Sequence, residues 1–191
     1  MDRSSALYVL LVTAAALLAL GERLYARRNE IRLLRGGAEE AAPGVFRLMV
    51  PVYALLFPAA AAEHILAGRR PGTVFVAGMI VLFAAAKGLK LWAVVQLGDQ
   101  WTMRVVLPRT LRVATGGPYR YIRHPNYLAV IGEILALPLA GGAWMTAIAG
   151  GVLFGAILRA RIGTEEAALL ARPGYASAMA GKGRFVPGRG R

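Results

Sequence analysis

The chain has 191 residues, 57% of them hydrophobic and 17% charged, with a mean hydropathy of +0.52 and a formal net charge of +13. Soluble domains run near 45–50% apolar and about 25% charged, so this composition excludes an ordinary water-soluble domain and an intrinsically disordered chain. The absence of cysteine excludes a disulfide scaffold, zinc–thiolate or iron–sulfur chemistry and a cysteine nucleophile.

Five apolar runs predict an all-α integral membrane bundle of about five transmembrane helices. The first is residues 5–21. Its weakly basic flank resembles a signal peptide, but Gly21 leads directly into Glu22-Arg23 and a helical pattern, so it reads as a retained anchor. A polar stretch, 22–40, follows. The second run, 45–67, ends near Glu63 and His64 and the basic turn 69–72; both side chains read as structural. The third, 73–97, carries Lys87 and Lys90 near its end, where they are expected to snorkel.

A long basic segment, 98–125, precedes the fourth and fifth runs, 127–139 and 143–158, which are separated only by Ala140-Gly141-Gly142. Thirteen helical residues reach about 20 Å, less than the ~30 Å hydrocarbon core, so a short, tilted or incompletely crossing hairpin is expected. Pro138 and the glycine pair argue against one long helix here. The polar tail, 159–191, is expected to hold a cytoplasmic helix and to fray from 181 onward.

Five spans put the termini on opposite sides. Seventeen Lys and Arg fall in 22–44, 97–125 and 159–191, against three on the other side (Arg3, Arg69 and Arg70). This bias predicts the N-terminus outside and the C-terminus in the cytoplasm. It also explains the net charge without nucleic acid, which is not an expected partner because the basic residues are not gathered on one face. Arg outnumbers Lys by 20 to 3, pointing to a GC-rich bacterial gene and hence to a bacterial inner membrane.

Two constellations carry candidate chemistry. Gly116-Gly117-Pro118-Tyr119-Arg120-Tyr121-Ile122-Arg123-His124-Pro125-Asn126-Tyr127 stands directly before the fourth run. Its glycines permit close backbone approach to a ligand. Pro125 holds His124 out of the helical region and can open the next helix, leaving free amides for a carboxylate. The alternative is an interfacial aromatic belt with snorkelling arginines. The second constellation is Arg161-Ile162-Gly163-Thr164-Glu165-Glu166, where Arg161 and Glu165 share a helical face, either at a site or as a surface ion pair. Both fall on the predicted cytoplasmic side. Glu133, six residues beyond Tyr127 or roughly 9 Å along a helix, either faces an acceptor pocket or hydrogen-bonds a neighbouring span. No metal site is expected: the two histidines lie far apart, with no ligand cluster around either.

Gly117-Pro118-Tyr119, Arg123-His124-Pro125-Asn126-Tyr127 and Arg161 with Glu165-Glu166 resemble the isoprenylcysteine carboxyl methyltransferases and related phospholipid methyltransferases. The likeness runs over roughly residues 75–187, including Tyr175 and Arg184-Phe185-Val186-Pro187. The front end, with Glu22-Arg23, Arg27-Arg28-Asn29-Glu30 and Gly37-Ala38-Glu39, resembles a bacterial subgroup that O-methylates alkylpyrone-type lipids. The resemblance implies one methyltransferase domain over 1–191. Within it, 1–72 holds N-terminal spans and a loop, and 73–191 is a catalytic core with cofactor segments 111–127 and 159–187.

It further implies S-adenosylmethionine as methyl donor, no metal, and a carboxyl or hydroxyl acceptor on a lipophilic molecule at the membrane. A protein substrate is not favoured. Leu111, Arg112, Val113 and Ala114, then Gly117, Tyr119, His124, Pro125, Asn126 and Tyr127 match the cofactor-holding part. Glu165, or Glu166 by a shift of one, matches a carboxylate near the cofactor's amino-acid end, and Arg161 an arginine on the substrate side. Arg161 and Glu133 are the catalytic candidates. The rival reading is a non-catalytic membrane protein, such as a transporter subunit or lipid-binding scaffold.

Overall fold

The computed structural model describes residues 2–41 and 43–188. Six α-helices carry the fold: α1 (Arg3–Arg35), α2 (Pro43–Ala67), α3 (Thr73–Leu97), α4 (Pro125–Ala140), α5 (Trp144–Leu170) and the single turn α6 (Tyr175–Ala178). Four of them, α1, α2, α3 and α5, are long and apolar enough to cross a membrane, and α4 is a shorter apolar helix. The protein is an all-α integral membrane bundle.

Two helices overrun their apolar runs. α1 is capped by Asp2, whose carboxylate accepts from the Ser5 amide at 2.9 Å, and continues through 22–35 to its C-cap, Gly36. Residues 22–35 are mostly Glu, Arg, Leu, Tyr and Ala, which sustain a helix after the hydropathy has fallen. Thirty-three residues make a rod of about 50 Å, well beyond the hydrocarbon core. α5 likewise runs past residue 158 to Leu170. The expected hairpin therefore pairs a short helix with a long one, and the polar motif 161–166 rides on the same rigid rod as the span. Pro138 sits in the last turn of α4 without breaking it.

The hairpin turns at Gly141 and Gly142. Gly142 has φ +72°, and a Cβ at Gly141 would collide with the Tyr8 ring. Around this turn His64 approaches the Gly141 carbonyl (2.7 Å) and Ser5 Oγ (3.2 Å), and the Tyr8 hydroxyl donates to the Leu137 carbonyl (3.1 Å). Glu63 accepts from the Met145 and Thr146 amides at 3.1 and 2.8 Å, capping the start of α5. This polar knot fixes one end of the bundle, in agreement with a structural role for Glu63 and His64.

α4 is the most enclosed helix. Ile134, Leu137, Pro125 and Pro138 are fully buried, and α4 contributes to both hydrophobic clusters, one with Leu56, Phe154 and Leu158, the other with Tyr8, Val12 and Ala15. Lys87 and Lys90 do not snorkel. They turn inward to Glu22 of α1 (2.9 and 2.5 Å) and Glu133 of α4 (3.1 and 3.3 Å), while the Tyr53 hydroxyl of α2 donates to Glu133 at 2.8 Å. Two lysines and two carboxylates from α1, α3 and α4 thus neutralise one another, which makes their burial tolerable.

At the other end, two short strands absent from the sequence reading form an antiparallel pair. β1 (Glu39–Ala41) and β2 (Val105–Leu107) align Glu39 with Leu107 and Ala41 with Val105. The tail does not simply fray from 181: backbone amides of Arg123 and His124 donate to the Gly183 and Arg184 carbonyls at 2.9 and 3.0 Å. Residues 189–191 lie outside the described residues.

Candidate active site

Two cavities adjoin near the 101–104 segment that precedes β2. The smaller, of about 130 Å³, has a mixed lining from the segment 97–114, the 119–127 turn, α5 and α6, and holds the more polar set of side chains, including Arg104, Arg112, Arg123, His124 and Glu165. The larger, of about 420 Å³, lies between α1 and α2 and is walled mainly by apolar residues such as Ala16, Leu20, Phe46, Met49 and Phe154. Trp101, Thr102, Asn126, Tyr127 and Arg161 line both, so the cavities adjoin across these five residues, the neck between them.

Ten of the fourteen residues singled out in the sequence line the smaller cavity: Leu111, Arg112, Val113, Ala114, Tyr119, His124, Asn126, Tyr127, Arg161 and Glu165. Segment 111–114 is docked by a backbone pincer, in which Gln100 Nε2 donates to the Arg112 carbonyl (2.8 Å) and Gln100 Oε1 accepts from the Arg112 amide (3.0 Å). Pro125 occupies the first turn of α4 and is buried beside the cavity.

Arg161 is not part of a surface pair. It is 4% exposed, its Nε donates to the Tyr127 hydroxyl at 2.7 Å, and that hydroxyl donates onward to Glu165. The three form a directed chain from cation to carboxylate across the neck. Glu165 is the one carboxylate among the described residues that line the smaller cavity.

Glu166 points elsewhere. It meets His124 Nε2 and Arg123 at 3.1 Å and Arg184 at 2.5 Å, tying the tail to the 119–127 turn. Lys182 reinforces this tie by donating to the Tyr119 carbonyl at 2.9 Å. The geometry thus separates two adjacent carboxylates that the sequence left interchangeable. Burial pushes the Tyr175 phenol up to about 12, with the Glu165 and Glu166 carboxylates adding to the effect, and pushes the Tyr119 phenol above its usual range.

Gly117 (φ +54°) lines neither cavity and packs against α3: a Cβ there would lie 2.5 Å from Gln96 Cγ and 2.8 Å from the Trp92 ring nitrogen. Glu133 lines neither of the two adjoining cavities; it stands behind Tyr53 and Lys90, which do line the larger one, so the hydrogen-bonded alternative describes it. Sequence reasoning missed Trp101, Thr102, Arg23 and Tyr53. A tryptophan inside a polar segment was the only available signal, at Trp101.

Residues 76–171 match the isoprenylcysteine carboxyl methyltransferase family. The chain belongs to that family. It is also similar to the uncharacterized protein YpbQ of Bacillus subtilis, with 27% identity over 163 residues covering 85% of this chain and 96% of that protein. An uncharacterized Haemophilus influenzae protein is 32% identical over 91 residues, 47% of this chain and 52% of the relative. Membership of the isoprenylcysteine carboxyl methyltransferase family makes the protein a membrane methyltransferase. The matched stretch holds α4, α5 and most of α3, and therefore the whole motif set from Gly117 to Glu166, whereas α1 and α2 lie outside it.

Proposed function

We propose that the protein transfers a methyl group from S-adenosylmethionine to a carboxyl or hydroxyl oxygen of a lipophilic, single-molecule acceptor held in the membrane. One observation carries this reading: a polar cavity and a larger apolar cavity share a neck lined by Trp101, Thr102, Asn126, Tyr127 and Arg161. Methyl transfer is an in-line displacement, and a neck of this kind lets two ligands of opposite polarity meet head-on.

The residues present fit the donor. Its ammonium and sulfonium need a carboxylate or aromatic faces, and Glu165, Tyr119, Tyr127 and Trp101 line the polar cavity. Its carboxylate needs a cation, and Arg123 lines the same cavity with a buried Nε that has no partner among the described residues. The donor supplies an electrophilic methyl group. Around it, Tyr127 orients Glu165, and Arg161 presents a guanidinium to the acceptor oxygen from the neck, where it steadies negative charge. The apolar walls of α1 and α2 exclude water from the acceptor. The charge bias of the loops supports placing the polar cavity at the cytoplasmic face of a bacterial inner membrane, where a soluble donor is available.

Incubation of the purified protein with labelled S-adenosylmethionine and fractionated membrane lipid extracts, read by mass, tests the reading. A lipid gaining one methyl group is expected. No transfer into any fraction, together with no saturable donor binding, would instead indicate a scaffold.

A further inference from the structure

We propose that the cytoplasmic extension of α1, outside the stretch that matches the family, sets the alignment of the two ligands by clamping the loop side of the neck through Asn29 and Glu30. This inference rests on the methyltransferase reading above and assigns it positioning residues. The neck has two walls. One is the rigid junction of α4 and α5, carrying Asn126, Tyr127 and Arg161; the other is the non-helical segment 101–104.

A segment without its own regular structure needs outside partners for its backbone. Here they come from α1. Asn29 Nδ2 donates to the Trp101 carbonyl at 2.8 Å, and Glu30 Oε1 accepts from the amides of Met103 and Arg104, both at 3.1 Å. Both side chains are buried, at 3% and 2% exposure, and Tyr25, one turn earlier, stacks on the Trp101 ring with centroids 5.9 Å apart.

The clamp also spans the two cavities. Met103 lines the apolar one, Arg104 the polar one, and Arg23, which holds both oxygens of Glu30 at 2.9 Å, lines the apolar one. A single buried carboxylate therefore fixes the partition between donor and acceptor while touching neither. Its loss should spoil the meeting of the ligands more than the binding of either. Misplacing reacting groups by an ångström costs on the order of 100-fold in rate.

The test compares wild type with Glu30→Gln, with Glu30→Asp, which keeps the charge but retracts it from the amides, and with Tyr8→Phe, which loses a bond at the opposite end of the bundle. Three quantities are read: amide exchange over 101–104, affinity for S-adenosylhomocysteine, and maximal methyl transfer into a total membrane lipid extract. For both Glu30 variants we expect faster exchange and a rate lower by about 10- to 100-fold. Their affinity should stay within about threefold, and Tyr8→Phe should show no such split. Wild-type exchange or rate in both Glu30 variants, or rate and affinity falling in proportion as in a generally loosened protein, would overturn the clamp alone. A wild-type protein that transfers no methyl would overturn the enzyme reading, and the clamp with it.

Discussion

Arg161 and Glu165 are joined through Tyr127, yet their chemistry predicts different failures. Glu165→Ala removes the single carboxylate of the polar cavity, so donor affinity should fall by about 2–5 kcal/mol if the ammonium it faces is buried. Arg161→Ala should leave donor affinity near wild type and depress turnover, because a guanidinium has no favourable contact with a sulfonium. Calorimetric titration of the donor and rate measurements on both variants check this; equal loss of donor binding in both would contradict the division of roles. Tyr175 gives a test by pH. Its folded-state pKa of about 12 lies above the ordinary 10, so the unfolded chain releases this proton first. The contribution is intact below pH 10 and is lost as pH rises toward 12. Tyr175→Phe should flatten the fall in melting temperature over that window.

At the scale of elements, apolar runs located α1 to α5 but misjudged where α1 and α5 end. Hydropathy reports the edge of the hydrocarbon, whereas helix propensity and packing decide where a helix stops. Glu22 to Arg35 and Arg159 to Leu170 are polar stretches that remain good helix formers. The short strands were illegible for another reason: three residues each, they exist only because α1 and the 98–104 segment bring them together. The cap of α5 is a long-range one, made by Glu63 from α2. Glu63→Ala should cost about 0.5–2 kcal/mol, read as lower thermal stability in detergent, with donor affinity unchanged because the cap lies at the opposite end from the cavities.

At the scale of the molecule, the polar half of the site was legible and the apolar half was not. Tyr119, His124, Asn126, Tyr127, Arg161 and Glu165 announce themselves as polar and aromatic residues at a span boundary, and they converge on one cavity. Ala16, Phe46, Met49 and Phe154 do not, since a residue facing a bound lipid reads like one facing the bilayer. The inward turn of Lys87 and Lys90 was equally hidden, because a lysine near the end of a span is compatible with snorkelling until its partners are placed. The seventeen-to-three distribution of Lys and Arg predicts that a reporter fused after residue 191 reads cytoplasmic and one inserted at Arg70 reads external. Opposite signals would remove the argument for donor access from the cytoplasm.

The lysine–glutamate cluster also bears on how the chain is made. Glu22 emerges from the ribosome with α1, but Lys87 and Lys90 follow only with α3, and Glu133 only with α4. A nascent chain halted after α3 holds one more lysine than carboxylate in this cluster, and an unpaired ionised side chain within a span is costly. Electrical balance within the cluster arrives only with α4, which carries Glu133. The cluster therefore ties three segments that leave the ribosome far apart in time, and a chain truncated before α4 would lack the carboxylate that balances its second lysine.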